Sequence, residues 1–127
     1  MSYKAFIIVL FFWITGILAA IMGYAKERGK LEKLVLKVVS IADYDEKNVA
    51  ILVDSQEKYS HTVRILKNKE PETFTSLFQN ELEEVKASRK TLKESDTEEA
   101  RQTNFTGYKT AILNALEKTI NTTKETL

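Results

Sequence analysis

The segment LEKLVLKVVSIADYDEKNVAILVDSQEKYSHTVRIL, residues 31–66, decides the fold class of this chain. It contains neither Gly nor Pro, and its apolar side chains recur at intervals of three and four residues. These positions are Leu31, Val35, Val38, Ala42, Val49, Leu52, Tyr59, Val63 and Leu66. At 100° per residue they form one broad face of a helix. The spacing therefore predicts a single amphipathic helix over about 31–67.

A β meander is the alternative interpretation of this segment. Val and Ile are abundant in it, Tyr59 to Leu66 alternates between apolar and polar residues, and the polar run 43–48 has the composition of a loop. In that alternative the fold is α+β, with a short meander at about 31–66 followed by two helices. The spacing of three and four residues favours the helix.

Two further helices are predicted towards the carboxyl terminus. Pro71 suits the first turn of a helix over about 71–94, because an N–H is not needed there. Ser95-Asp-Thr-Glu98 resembles a capping box that starts a third helix over about 97–125. Each helix is apolar on one side only, and short connections join them. Residues 26–127 are therefore expected to form a small antiparallel helical bundle in an all-α fold.

The amino-terminal sequence AFIIVLFFWITGILAAIMGY, residues 5–24, has no charged side chain. As a helix it would reach roughly 30 Å, the thickness of the hydrocarbon core of a bilayer. Residues 1–25 are therefore predicted to be a single transmembrane anchor. A cleaved secretory signal is the alternative, since Lys4 supplies a basic start and Gly23-Tyr-Ala25 resembles a cleavage site.

Basic residues follow the apolar stretch directly. The residues expected to contact anionic lipid headgroups are Lys26, Arg28, Lys30 and Lys33. The excess of positive charge on this side predicts that the larger domain lies in the cytoplasm.

Small residues line one side of the predicted span. They recur at intervals of three and four residues, which permits close approach of a second helix. The residues expected to pack against a partner transmembrane helix are Gly16, Ala19, Ala20 and Gly23.

No pattern of residues predicts catalysis or cofactor binding. The chain has no Cys and a single His, His61, and its four Gly residues are too scattered to form a phosphate-binding loop. Its 19 basic residues against 18 acidic ones do not give the basic face of a nucleic-acid-binding protein. We therefore expect neither an enzyme nor a metal site, and no small-molecule substrate is evident.

The predicted function follows from the anchor and the helices. We expect a single-pass membrane protein that serves as an assembly, scaffold or interaction subunit of a membrane-associated complex. Its partners would be membrane lipid and either another protein or further copies of itself. One alternative is a small holin-like protein that forms pores or perturbs the membrane. Another is a secreted or periplasmic domain released by cleavage of a signal.

Overall fold

The structure is a computed structural model that describes residues 25–125. Its helices are α1 (25–39), α2 (Glu46–Lys69), α3 (Pro71–Phe74), α4 (Gln79–Lys93) and α5 (Glu98–Glu125). Residues 25–125 contain no strand. The predicted all-α class is confirmed for this part of the chain, and the β meander at 31–66 is wrong.

The continuous helix predicted over 31–67 is also wrong, because the chain breaks between α1 and α2. Asp45 caps α2: its carboxylate accepts a hydrogen bond from the backbone N–H of Lys47 at 2.6 Å. The amide of Asn48 donates to the backbone carbonyl of Asp43 at 2.9 Å. Such local side-chain bonds compete with the helical pattern, so this polar run ends one helix and starts the next.

The helix predicted over 71–94 is interrupted as well. Phe78 has a φ of 68°, the left-handed conformation that side chains with a Cβ rarely adopt. This residue separates the single turn of α3 from α4 and stays buried. Its ring stacks on that of Phe74, with the centroids 6.0 Å apart. The redirected backbone thus lets two aromatic rings enter the core from one short segment.

The cap of α5 lies two residues after the predicted one. The backbone N–H of Ala100 donates to the hydroxyl of Thr97 at 3.0 Å, so Thr97 and not Ser95 is the capping residue. The hydroxyl of Ser95 instead accepts from the amide of Asn104 at 2.7 Å. Ser95 therefore joins α4 to α5 across their connection.

Ion pairs show that α1 and α2 run antiparallel. Near the start of α1, Glu27 lies 3.7 Å from Lys69 at the end of α2. Further along α1, Lys37 lies 3.6 Å from Asp54 in the first half of α2. The two helices therefore form a hairpin about the 40–45 connection.

The last helix completes an up-down-up-down arrangement. Arg28 of α1 donates to Thr123 near the end of α5, and Lys109 of α5 donates to the carbonyl of Ile41 after α1. α5 is thus antiparallel to α1. α4 is antiparallel to α5, as the Ser95–Asn104 contact shows. We call the end near residue 25 the proximal end, and the end formed by the 40–45 and 94–97 connections the distal end.

Buried side chains from every described helix form one core. The largest are Tyr59, Tyr108, Phe74, Phe105, Leu31, Leu52, Leu66, Ile112, Leu116, Val38, Val63 and Val85. The two tyrosine hydroxyls have partners: Tyr59 contacts Thr119 at 2.8 Å, and Tyr108 donates to Gln56. Burial raises the pKa of both tyrosines to about 12.

Within residues 25–125, no helix combines the length and the apolar character needed to cross a bilayer. The predicted anchor falls on residues 1–24, apart from its last position, and so lies outside the described residues. The predicted helix-packing positions Gly16, Ala19, Ala20 and Gly23 also lie there.

Candidate interaction surfaces on the first helix

α1 presents three different faces to its surroundings. Its buried face carries Leu31, Leu34 and Val38 into the core. A row of lysines lies on the side next to α2, at positions three and four residues apart, and Leu36 lies opposite the buried face. α1 therefore offers two surfaces beyond the core: a charged groove beside α2 and an apolar patch beside α5.

The charged groove has a volume of about 460 Å³. Lysines of both helices line it, together with the exposed His61 of α2. The lysines are Lys30, Lys33, Lys37 and Lys58. The groove is therefore the most basic depression on α1.

Part of this positive charge is already neutralised. Asp54 lies 3.1 Å from Lys58 and 3.6 Å from Lys37. The hydrogen bond from Lys58, together with the charges of both lysines, lowers the pKa of Asp54. Lys33 and His61 have no carboxylate within ion-pair distance among residues 25–125. Lys30 lies 3.7 Å from Glu27, so Lys33 is the one lysine of the groove without an ion pair among residues 25–125.

The four predicted headgroup residues do not form one cluster. Lys26 is exposed, and Lys30 and Lys33 line the charged groove. Arg28 points towards α5, where its Nε donates to the Thr123 hydroxyl and its Nη2 to the Thr123 carbonyl, each at 3.3 Å. Arg28 therefore contributes a contact between helices in addition to any contact with lipid.

Glu27 is a buried charge that no pattern of residues predicted. It is only 2% exposed, and lysines lie 3.7 Å from each of its carboxylate oxygens: Lys69 from Oε1 and Lys30 from Oε2. Removing one partner of such a pair leaves a buried charge uncompensated. Glu27 thus fixes the start of α1 against the end of α2 at the proximal end.

The apolar patch, which we call the α1 patch, consists of Val35, Leu36, Val39, Leu113 and Ile120. Leu36 is 73% exposed and Val39 is 56% exposed, and they are the large apolar side chains most open to solvent among residues 25–125. A groove of about 440 Å³ between α1 and α5 has an apolar floor formed by the other three residues and Val39. Its rim carries Glu32, Glu117 and Lys124.

The α1 patch was not predicted, because the apolar spacing indicated a single apolar face for the segment 31–66. Leu34, Leu36 and Val39 fell outside that face. Leu34 is in fact buried, whereas Leu36 and Val39 are exposed. The available signal was that α1 has apolar residues on too many sides for one contact.

The described residues hold no cluster of metal-binding side chains. The chain matches no protein-family model, no curated protein and no solved structure.

Proposed function

We propose that this protein is a single-pass, membrane-anchored interaction subunit that binds a helix of a protein partner on the α1 patch. The exposure of Leu36 and Val39 is the observation that carries the proposal. Exposed apolar side chains that continue into a groove and carry a polar rim are typical of protein interaction sites. Burying Leu36 alone in an interface would contribute about 1.5–3 kcal/mol.

The shape of the α1 patch favours a helical partner. Its groove lies between two antiparallel helices, so a third helix could lie along it. The apolar floor and charged rim match the side chains of an amphipathic helix, which places its anchors at intervals of three and four residues. Glu32 and Glu117 on the rim favour a partner helix with basic residues beside its apolar stripe.

The proximal end of the bundle suits a position beside a membrane. Residues 5–24 would form the anchor, and α1 is already helical at residue 25. Four lysines lie in the ends of helices at the proximal end of the bundle: Lys26, Lys67, Lys69 and Lys124. Each basic residue near an anionic surface contributes about 1 kcal/mol of attraction. We propose that these lysines, with Lys30 and Lys33, contact lipid headgroups, and that the bundle lies in the cytoplasm.

A substitution in the α1 patch tests the proposal. The full chain with Leu36→Glu and a matched control with Ala87→Glu would each be purified from membranes in mild detergent. Ala87 is exposed on α4, so the control adds the same charge away from the patch. We expect the wild type and the control to retain a stoichiometric partner protein, and Leu36→Glu to lose it while keeping the same helical circular dichroism.

Three outcomes would overturn the proposal or part of it. If Leu36→Glu binds the partner as well as the wild type does, the α1 patch is not the binding site. A crosslinked species of twice the chain's mass and no other partner would show that a second copy occupies the patch. Release of the intact chain from membranes by alkaline carbonate would show that the chain has no transmembrane anchor.

A further inference from the structure

A third depression, which we call the distal pocket, lies at the distal end of the bundle, remote from the α1 patch. It has a volume of about 270 Å³, and α2, α4 and the 40–45 connection meet around it. Its apolar wall is formed by Val49, Val53 and Leu92. The ring of Tyr44 adds an aromatic side to this wall.

Tyr44 is held in place from two directions. Its ring packs edge-on against Phe105, with the centroids 5.9 Å apart and the planes at 87°. Its backbone N–H donates to the side-chain carbonyl of Gln102 at 3.1 Å. The aromatic side of the distal pocket is therefore preorganised.

Three basic side chains also line this pocket: Arg89, Lys93 and Arg101. None of the lining residues is acidic, and none of the three cations forms an ion pair with any carboxylate of residues 25–125. Arg89 and Lys93 are one helical turn apart on α4, so their side chains share a face. Arg101 lies in the first turn of α5, where the helix dipole disfavours a positive charge.

Arg89 also carries an unsatisfied donor. Its Nε is buried from solvent and makes no hydrogen bond within the described part of the chain. Buried donors in folded proteins are nearly always paired, so an unpaired one calls for an explanation. The folded bundle thus places three basic side chains, one with an unpaired Nε, around one apolar pocket, and no carboxylate of residues 25–125 forms an ion pair with them.

The geometry points to the distal pocket as a binding site for a small phosphate monoester carried on an aromatic or apolar group. A phosphate monoester has a charge of about −1.5 to −2 near neutral pH, which matches three cations better than a single carboxylate does. Guanidinium groups donate to phosphate oxygens in a bidentate geometry. The Tyr44 and valine wall would contact the attached apolar group, and the pocket volume admits about one ring with its phosphate.

Phenyl phosphate is the probe for this proposal. The full chain in detergent would be titrated with phenyl phosphate, inorganic phosphate and phenol, with binding followed by NMR shifts of the arginine side chains and by calorimetry. We expect phenyl phosphate to bind at least about tenfold more tightly than inorganic phosphate, because only phenyl phosphate uses the apolar wall. Phenol lacks the charge and should not bind measurably.

Two variants and a matched control locate the site. Arg89→Gln and Arg101→Gln should each weaken phenyl phosphate binding by about tenfold or more, since each removes a charge-assisted hydrogen bond. Lys86→Gln removes the same charge from an exposed position of α4 outside the pocket and should leave the affinity unchanged. Arg101 has no buried atom that lacks a hydrogen bond, unlike Arg89, so its variant keeps the test valid if Arg89→Gln fails to fold.

Either of two results would overturn the proposal. One is equal weak binding of phenyl phosphate and inorganic phosphate, which would indicate charge attraction without a built pocket. The other is an equal loss of affinity in Lys86→Gln and Arg101→Gln, which would place binding on the general surface of the bundle.

Discussion

The hydroxyl groups of Tyr59 and Thr119 meet at 2.8 Å in the centre of the bundle, where they join α2 to α5. The Thr119 hydroxyl also donates to the carbonyl of Ala115 at 2.8 Å, so the Tyr59 hydroxyl is the donor to Thr119. These two helices run parallel to each other, since Gln56 and Tyr59 of α2 meet Tyr108 and Thr119 of α5 in the same order. Together with the bond from Tyr108 to Gln56, this contact links the two helices through polar groups within a largely apolar core.

Replacing Tyr59 by Phe should lower the free energy of unfolding by about 0.5–1.5 kcal/mol, the net contribution of one intramolecular hydrogen bond. The Thr119 hydroxyl stays satisfied through Ala115, which limits the loss. Tyr44→Phe is the matched control, because the Tyr44 hydroxyl makes no hydrogen bond within the described residues. Urea unfolding of the two variants gives the comparison, and equal losses would contradict the role of the Tyr59–Thr119 bond.

Alkaline pH should unfold the bundle through its buried tyrosines. Burial raises the pKa of Tyr59 and of Tyr108 to about 12, above the value near 10 of an unfolded tyrosine. A raised pKa in the folded state gives stability that is complete below pH 10 and is lost as the pH rises towards 12. Tyrosinate absorbance and helical circular dichroism, recorded together, should change in concert in this window. Complete tyrosine ionisation near pH 10 with unchanged helicity would contradict the prediction.

Acid should weaken the contact between α4 and α5. Burial opposes ionisation of Glu81, but the hydrogen bond and the charge of Lys118 outweigh it and lower the pKa of Glu81. A lowered pKa gives stability that is present above about pH 4.3 and is lost as the pH falls through the folded-state value. Lys118→Gln should therefore cost up to about 1 kcal/mol at pH 7 and nothing once Glu81 is protonated. Lys86→Gln is the control, and a difference that persists at pH 2 would contradict this explanation.

Because Phe78 has a left-handed backbone, we expect its Gly variant to be more stable than its Ala variant, which is the reverse of the usual order. Phe78→Ala removes a buried ring and should cost about 3–5 kcal/mol. Phe78→Gly removes the same ring but relieves the strain of a Cβ at a φ of 68°, which amounts to about 1–2 kcal/mol. The Gly variant should therefore be the more stable of the two in thermal unfolding. The opposite order, which is usual elsewhere, would show that the conformation carries no strain.

Gly107 offers a stabilising substitution. It lies in the interior of α5, and an added Cβ would meet no atom within 4 Å. Gly107→Ala should therefore raise the free energy of unfolding by about 0.5–1 kcal/mol, because Ala loses less backbone entropy in a helix. Urea unfolding measures the change, and a decrease would mean that this exposed position contacts something in the intact protein.

The three- and four-residue spacing of apolar side chains was sufficient to predict helices that pack as a bundle, but it indicated three helices where residues 25–125 form five. The breaks were not predicted, since they depend on local hydrogen bonds. The Asp45 carboxylate and the Asn48 amide stop and restart the helix without disturbing the apolar face on either side. Phe78 interrupts the next predicted helix through its left-handed backbone conformation. The spacing of apolar residues does not indicate such a conformation.

The surfaces of the bundle were harder to predict from the sequence than its core. Leu36 and Leu34 are chemically alike and two residues apart, yet one is exposed and the other buried. The difference depends on how α1 sits between α2 and α5, and that is a property of the assembled bundle. Similarly, Arg89 and Arg101 lie on consecutive helices, and only the packing of α4 on α5 brings them to one pocket.

The Arg28–Thr123 contact has a consequence for anyone who labels this molecule. It brings the two ends of the described chain to the same pole, so a fluorescent protein attached after α5 would be carried next to residue 25 and compete for space with whatever lies there. A small tag inserted in the 94–97 connection would sit at the other pole, about the length of the bundle away. Labels at the two places would report on opposite extremities of the same helical bundle.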